Sequence, residues 1–265
     1  MIKAIALDLD GTLLNKEKKI SLENKNILKI LSQKGYEILF VTGRPYSSTK
    51  SLAKELNIPI TIICYNGAKI IDGSNDKIIF EKNLDEETTK ELISFSNSHN
   101  LNLNLYQNEK WLVSSLSSEG TKIYKKNSGL EPVLKDFNSL KDYNMTKAIF
   151  IDENKKLQNI KKLLKDKFQD SIYITFSQEK YLEILHKEIN KGSTLKNVLI
   201  DKGINPINCI AFGDSENDFE MLTSVGIGVA MGNSHPSLKG VAHYIADTNE
   251  NNGVAKFLRC FLQIS

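Results

Sequence analysis

Apolar residues recur along this chain in short unbroken runs, and longer amphipathic stretches separate the runs. Ile2, Ala4, Ile5, Ala6 and Leu7 make the first run. A run of this kind suits a central parallel strand covered on both faces. Residues 37–41, 60–64, 208–212 and 226–231 have the same texture. Between them the helical period returns. Ser21 is placed to cap a helix whose apolar face is Ile27, Leu28, Ile30 and Leu31, and Gly35 stops it. Pro45 suits the first turn of a second helix, over 45–56. Residues 192–202, a stretch through Leu222, residues 236–239 and residues 254–262 read as further helices, and 243–246 as a last strand. Strand and helix in alternation predict an α/β fold with a Rossmann-like parallel sheet.

The texture changes near Leu84. Two short strands, 69–72 and 77–80, precede the change and flank a hairpin turn at Gly73-Ser-Asn-Asp76. Residues 85–96 are then an amphipathic helix. Residues 101–106 and 110–114 alternate and pair through 107–109, and 117–127 is helical. Residues 146–151, 154–167, 172–176 and 181–185 read strand, helix, strand, strand. Alternation with polar positions predicts an antiparallel sheet with one solvated face. The expected organisation is a core of residues 1–83 and 188–265 with an inserted α/β domain at 84–187. No repeat or low-complexity segment interrupts it.

Composition narrows the partners. Apolar content of 40% and charged content of 25% are ordinary for a soluble globular protein. A net charge of +3 gives no argument for nucleic acid. Lysine runs such as 16–19 and 155–156 are broken by acidic and apolar residues and read as solvated faces. No window reaches the ~18 apolar residues of a membrane span. The first residues lack the pattern of a signal peptide. Cys64, Cys209 and Cys260 are far apart and in apolar surroundings, as expected of buried free thiols in a reducing cytoplasm.

Candidate chemistry collects where the apolar runs end. Asp8 and Asp10 follow the first run, with Gly11 and Thr12 next. Side chains two apart on a strand point the same way, so the two carboxylates can face one volume. Close carboxylates need a cation or donors, and a hard divalent cation with oxygen ligands meets that need. An acidic turn is the alternative for Asp-x-Asp taken alone. Thr42-Gly43-Arg44 ends the second run. Thr42 can offer a hydroxyl and Gly43 an uncrowded N–H to a phosphate oxygen, although a simple turn has the same residues. Gly213-Asp-Ser-Glu-Asn-Asp218 ends the 208–212 run. Either this acidic cluster shares a metal with the first, or Asp214 or Ser215 merely caps the next helix. Lys191 precedes a helix and could neutralise these acids and hold a phosphate oxygen. His99, His186, His235 and His243 have no ligand spacing, although His186 lies where the insertion should rejoin the core. Trp111 reads as packing rather than a substrate platform.

Asp8-Leu-Asp-Gly-Thr-Leu-Leu14, Thr42-Gly-Arg44, Asn66-Gly-Ala68, Lys191-Gly192, the 213–222 segment and Val229-Ala-Met-Gly-Asn233 occur in one order along the whole chain. In these motifs the chain resembles the Cof-type subfamily of haloacid-dehalogenase-like hydrolases. One departure is His186-Lys-Glu-Ile189, where relatives often approach the lysine through a shorter, smaller segment. The resemblance implies a phosphatase that works through an aspartyl-phosphate, with the inserted domain as its cap. It implies Asp8 as nucleophile and Asp10 as acid and base. It implies Mg²⁺ held by Asp8, the Asp10 backbone carbonyl and Asp214. Thr42 and Lys191 would bind the phosphoryl oxygens, Asn217 and Asp218 would support metal and lysine, and Gly43, Arg44, Asn66 and Gly67 would face a small phosphate ester. The expected protein is cytoplasmic, with no nucleic acid or membrane partner, and a monomer or small homo-oligomer. A phosphomutase or phosphotransferase on the same core, and a non-catalytic phospholigand sensor, are the competing readings.

Overall fold

The computed structural model describes residues 1–264, and the runs and amphipathic stretches become strands and helices within a few residues of their expected bounds. The chain opens with β1 (Ala4–Leu7), α1 (Leu22–Gln33), β2 (Glu37–Val41), α2 (Tyr46–Leu56), β3 (Thr61–Cys64), β4 (Lys69–Asp72) and β5 (Lys77–Glu81). Then come α3 (Glu86–Ser98), β6 (Leu103–Gln107), β7 (Lys110–Val113), α4 (Glu119–Ser128), β8 (Pro132–Leu134), β9 (Lys147–Ile151), α5 (Asn154–Phe168), β10 (Ile172–Gln178) and β11 (Tyr181–His186). The last part holds α6 (Lys191–Asp201), β12 (Cys209–Gly213), α7 (Phe219–Thr223), β13 (Ile227–Ala230), α8 (Pro236–Lys239), β14 (Tyr244–Ile245) and α9 (Gly253–Leu262). The chain divides into two compact units, one of residues 1–80 with the chain from Asn190 onward, the other Glu81–Ile189.

The first unit is an eight-stranded sheet in the order β14-β13-β12-β1-β2-β3-β4-β5, parallel from β14 to β3. Strand order reverses around β1, where the chain builds outward through β2 on one side and through β12 on the other. Ligands of open α/β sheets bind at such a reversal, outside the carboxyl ends of the strands. Both faces are buried, as the unbroken apolar runs require. Ala4, Ala6, Leu39 and Val41 pack with Leu195, Val198 and Leu222 on one face. On the other, Phe212 meets Phe257 edge-on, with ring centroids 5.5 Å apart. Cys64 and Cys209 are buried and outside any disulfide, whereas Cys260 is exposed, against expectation. It lies on α9, whose helical period turns one stripe outward.

The second unit is a six-stranded sheet in the order β10-β11-β9-β6-β7-β8. Its pairs are antiparallel except β7 with β8, a short strand that the sequence pattern did not mark. Leu103, Leu105, Ala148, Phe150 and Ile184 form one face, packed with Leu92, Leu157 and Leu164 of α3 and α5. The opposite face mixes polar and apolar positions and is not solvated as expected. Lys147 and Glu183 are both buried there and form an ion pair at 2.7 Å. Trp111 Nε1 donates to Asn104 Oδ1 at 2.9 Å, and the hydroxyls of Tyr106 and Tyr124 are 2.8 Å apart. Alternation records polarity, not exposure, and polar groups tolerate burial when they are paired.

One buried side chain ties the loop after β1 to the rest of its unit. Asn24, in the first turn of α1, donates from Nδ2 to the Leu13 carbonyl at 3.3 Å. Its Oδ1 accepts from the Ala255 N–H at 3.0 Å, which is one of the unpaired donors at the start of α9. Asn24→Leu leaves both backbone groups unpaired in the core, so the expected loss is about 2–4 kcal/mol in urea unfolding. Ser21→Ala, which removes only a cap from the Asn24 N–H, should cost about 1 kcal/mol. Equal losses for the two variants would contradict the clamp.

Candidate active site

The register of β1 against β12 sets the site. Leu7 pairs with Phe212, and the Asp8 N–H donates to the Phe212 carbonyl at 3.0 Å. The two chains leave the sheet together, one at Asp8 and the other at Gly213-Asp214. Gly11 sits in the turn after β1 with φ of 77°, and a Cβ there would collide with the Asp214 carboxylate. Only glycine allows this approach. Thr12 Oγ1 donates to Asp214 Oδ1 and Ser215 Oγ to Asp214 Oδ2, each at 3.1 Å.

Lys191 enters from the start of α6, held by a capping box in which Asn190 Oδ1 accepts from the Ser193 N–H at 2.7 Å. A cation at a helix N-terminus opposes the helix dipole. It is retained because Lys191 Nζ donates to Asp8 Oδ1 and to Asp218 Oδ1, each at 2.6 Å. Asp218 Oδ2 accepts from the N–H groups of Asp214 and Ser215 at 2.9 and 3.0 Å. Burial alone would lower the Lys191 ammonium, but the charges of Asp218 and Asp8 reverse this and raise it. Burial pushes Asp8 well above the usual carboxylate range, with Lys191 opposing and Asp218 and Asp214 adding to the rise. Burial, then the Asp218 charge, raise Asp214 to about 7 against Lys191, Ser215 and Thr12.

Asp10 belongs to a second cluster. Arg44 Nε and Nη2 donate to its Oδ2 and Oδ1 at 2.5 and 2.7 Å, and Lys18 Nζ to Oδ1 at 2.7 Å. Burial would raise Asp10, but the Arg44 bonds and charge, with Lys18, outweigh it and hold the carboxyl at about 2. Asp10 is therefore ionised in this arrangement. Arg44 was expected to face a substrate, and here its fork holds Asp10.

A third group forms at the ends of β2 and β3. Tyr65, Asn66 and Gly67 have φ of 51°, 53° and 111° in succession, a costly backbone for two non-glycine residues. The turn aims Asn66 at Asn217, whose Nδ2 donates to Asn66 Oδ1 at 2.8 Å. Gly43 lies close, since a Cβ on it would be 3.0 Å from Asn66 Oδ1. Thr42 is buried, and its hydroxyl accepts from the Arg44 N–H at 3.2 Å. The Gly67 carbonyl accepts from Thr194 Oγ1 at 3.1 Å. Asn217 Oδ1 is buried with no hydrogen-bond partner among the described residues.

The acidic, lysine and phosphate-binding candidates of the motifs thus lie at the carboxyl edge of one sheet, in three groups, whereas Trp111, His99 and His186 lie in the inserted unit. Among the described residues, Asp8, Asp214 and Asp218 form an acidic group whose ligand oxygens lie within 4.8 Å of one another. Three carboxylates against the one ammonium of Lys191 leave a surplus of negative charge. An all-oxygen donor set with that surplus fits a hard divalent cation. The sequence marks Thr12 only by its place after Asp10 and Ser215 only as a helix cap, and neither as a partner of Asp214. Lys18, which reaches Asp10, sits in a lysine run that reads as surface.

A family model described as haloacid dehalogenase-like hydrolase matches residues 5–258. The chain belongs to the haloacid dehalogenase-like hydrolases. It is 34% identical over 260 residues to 5-amino-6-(5-phospho-D-ribitylamino)uracil phosphatase of Bacillus subtilis, covering 97% of this chain and 95% of that one. A haloacid dehalogenase-like hydrolase from Bacteroides thetaiotaomicron superposes with a TM-score of 0.86 at 28% identity, covering 98% and 100% of the two chains. A Streptococcus mutans protein superposes with a TM-score of 0.90 at 25% identity, covering 99% and 100%. The expected class, a phosphoric monoester hydrolase, agrees with this membership. No helix among the described residues is long and apolar enough to cross a membrane.

The raised value of Asp214 has a consequence for this hydrolase without metal. A carboxyl whose folded-state value is raised from 3.8 to about 7 adds stability at low pH that is lost as pH rises through about 7. Chelator-treated protein should lose melting temperature across that window, and Asp214→Asn should flatten the loss. Parallel melting curves for wild type and variant would remove Asp214 as its source.

Proposed function

We propose that the chain is a Mg²⁺-dependent phosphatase of small phosphorylated metabolites that works through an aspartyl-phosphate on Asp8. The observation that carries this reading is the state of the Asp8 carboxylate. Lys191 holds Oδ1, while Oδ2 accepts no hydrogen bond among the described residues, which leaves one oxygen of a fixed carboxylate for attack on phosphorus. The Asp8 Oδ2–P bond forms as the bond from phosphorus to the leaving oxygen breaks. Water then attacks the acyl phosphate and releases inorganic phosphate and the free carboxylate.

The other residues divide the work. Asp10 gives a proton to the leaving oxygen and later takes one from water. Its ionised state beside Arg44 and Lys18 suits the second step, so the first needs Arg44 to yield. Thr42, Gly43 and Lys191 hold phosphoryl oxygens whose charge grows in the transition state. Arg44, Asn66, Gly67 and Asn217 face the substrate, and the orphan Asn217 Oδ1 supplies an acceptor. Asp8, the Asp10 carbonyl and Asp214 would hold Mg²⁺, with Asp218 supporting. The ion would offset phosphoryl charge when bound. On the same reading residues 84–187 are the cap.

Phosphate release with Mg²⁺ over a panel of phosphate esters tests the function. The panel includes 5-amino-6-(5-phospho-D-ribitylamino)uracil, named in the Bacillus subtilis relative. No inorganic phosphate from any ester would contradict the reading, and phosphate passed to a sugar hydroxyl instead would favour a transferase. Asp10→Asn should lose about 10²–10⁴-fold with an alkyl phosphate. With an aryl phosphate, whose leaving group needs little protonation, it should give a burst of one alcohol per enzyme and then stall. Equal loss for both esters without a burst would remove Asp10 from proton transfer.

A further inference from the structure

We propose that β5 is a self-complementary edge through which two copies of this chain pair antiparallel about a two-fold axis at Ile79. The strand ends the eight-stranded sheet and borders β4 alone. All five of its residues are exposed. Ile78, Ile79 and Phe80 retain 52%, 57% and 37% of their surface, so apolar side chains face solvent on both sides of one strand. Sheet edges are ordinarily blunted by charge, proline or brevity, because their unpaired backbone groups template another strand. The opposite edge is blunted in this way, since β14 is two residues long. β5 is five residues long and has its charges only at its ends.

Those charges select the partner and its direction. The strand reads Lys77-Ile-Ile-Phe-Glu81. Antiparallel pairing centred on Ile79 sets Lys77 of each copy across from Glu81 of the other. On that face Ile79 meets Ile79 between the two ion pairs. On the other face Ile78 meets Phe80, and Phe80 meets Ile78. Opposite charges and β-branched–aromatic pairs are the favourable cross-strand combinations. Parallel pairing would set Lys77 on Lys77 and Glu81 on Glu81. Glu81 Oε1 also accepts from Thr146 Oγ1, at a long 3.4 Å, which keeps the carboxylate at its end of the strand. A two-fold contact consumes the edge in both copies and so stops at a dimer. A five-residue edge is smaller than the ~800 Å² per partner of a stable interface, so the dimer forms reversibly with concentration.

Sedimentation velocity over a concentration series tests this with the full chain. The wild type should pass from the 29.9 kDa monomer toward twice that mass. Lys77→Glu sets like charges opposite each other at both ends and should weaken the dimer about tenfold or more. Lys77→Glu with Glu81→Lys restores opposite charges and should restore the dimer. Ile79→Lys, which places two lysines at the axis, should abolish it by an independent route. Unchanged melting temperature and phosphate release in Lys77→Glu would show that folding and site are intact. A monomer at every concentration would overturn the proposal, as would a dimer indifferent to Lys77→Glu or one that the charge swap fails to restore.

Discussion

The Lys191 ammonium between Asp8 and Asp218 is the interaction on which the rest of the site depends. It joins the end of β1, the start of α6 and the turn after β12, three elements far apart in the chain. Removing one partner of a buried ion pair strands the other and typically costs ~3–5 kcal/mol. Asp218 leaves little slack, because its second oxygen is taken by two backbone N–H groups of the same turn. The position of Asp214 follows from that turn, and glycine at position 11 lets the β1 turn close on it.

The two carboxylates of the Asp-Leu-Asp motif have opposite electrostatic surroundings. Asp8 is buried among other acids with one ammonium, which raises it and leaves a charge surplus that suits a divalent cation. Asp10 is surrounded by an Arg fork and a Lys, which lower it. Neighbouring carboxyls held apart in this way suit different roles, as the proposed nucleophilic and proton-transfer steps require. Arg44 is the pivot of the difference. A planar guanidinium binds a carboxylate in the geometry it would use for a phosphate, so on the proposed reading an arriving ester would compete with Asp10 for it.

Much of this was legible before the structure. Continuous apolar runs report strands buried on both faces, and the acids and small residues that end them report the carboxyl edge of the sheet. Local chemistry of this kind survives translation into sequence. What was lost concerned pairing across distance. The mixed face of the inserted sheet is buried because Lys147 finds Glu183 and Tyr106 finds Tyr124, and alternation cannot reveal a partner. Lys18 is exposed, as its lysine run suggests, yet its turn brings Nζ to Asp10, a partner the run does not reveal. The positive φ of Tyr65 runs against the local preference of a tyrosine, whereas asparagine, as at position 66, enters that region more readily.

The central claim is that the phosphoryl group passes through Asp8. Rapid acid quench during turnover of a phosphate ester with Mg²⁺, followed by peptide mass spectrometry, tests it most directly. The account predicts a peptide containing Asp8 that is heavier by one phosphoryl group in the wild type. The adduct should accumulate further in Asp10→Asn and be absent from Asp8→Asn. Turnover with no such adduct in Asp10→Asn, or phosphate release by Asp8→Asn at the wild-type rate, would contradict it.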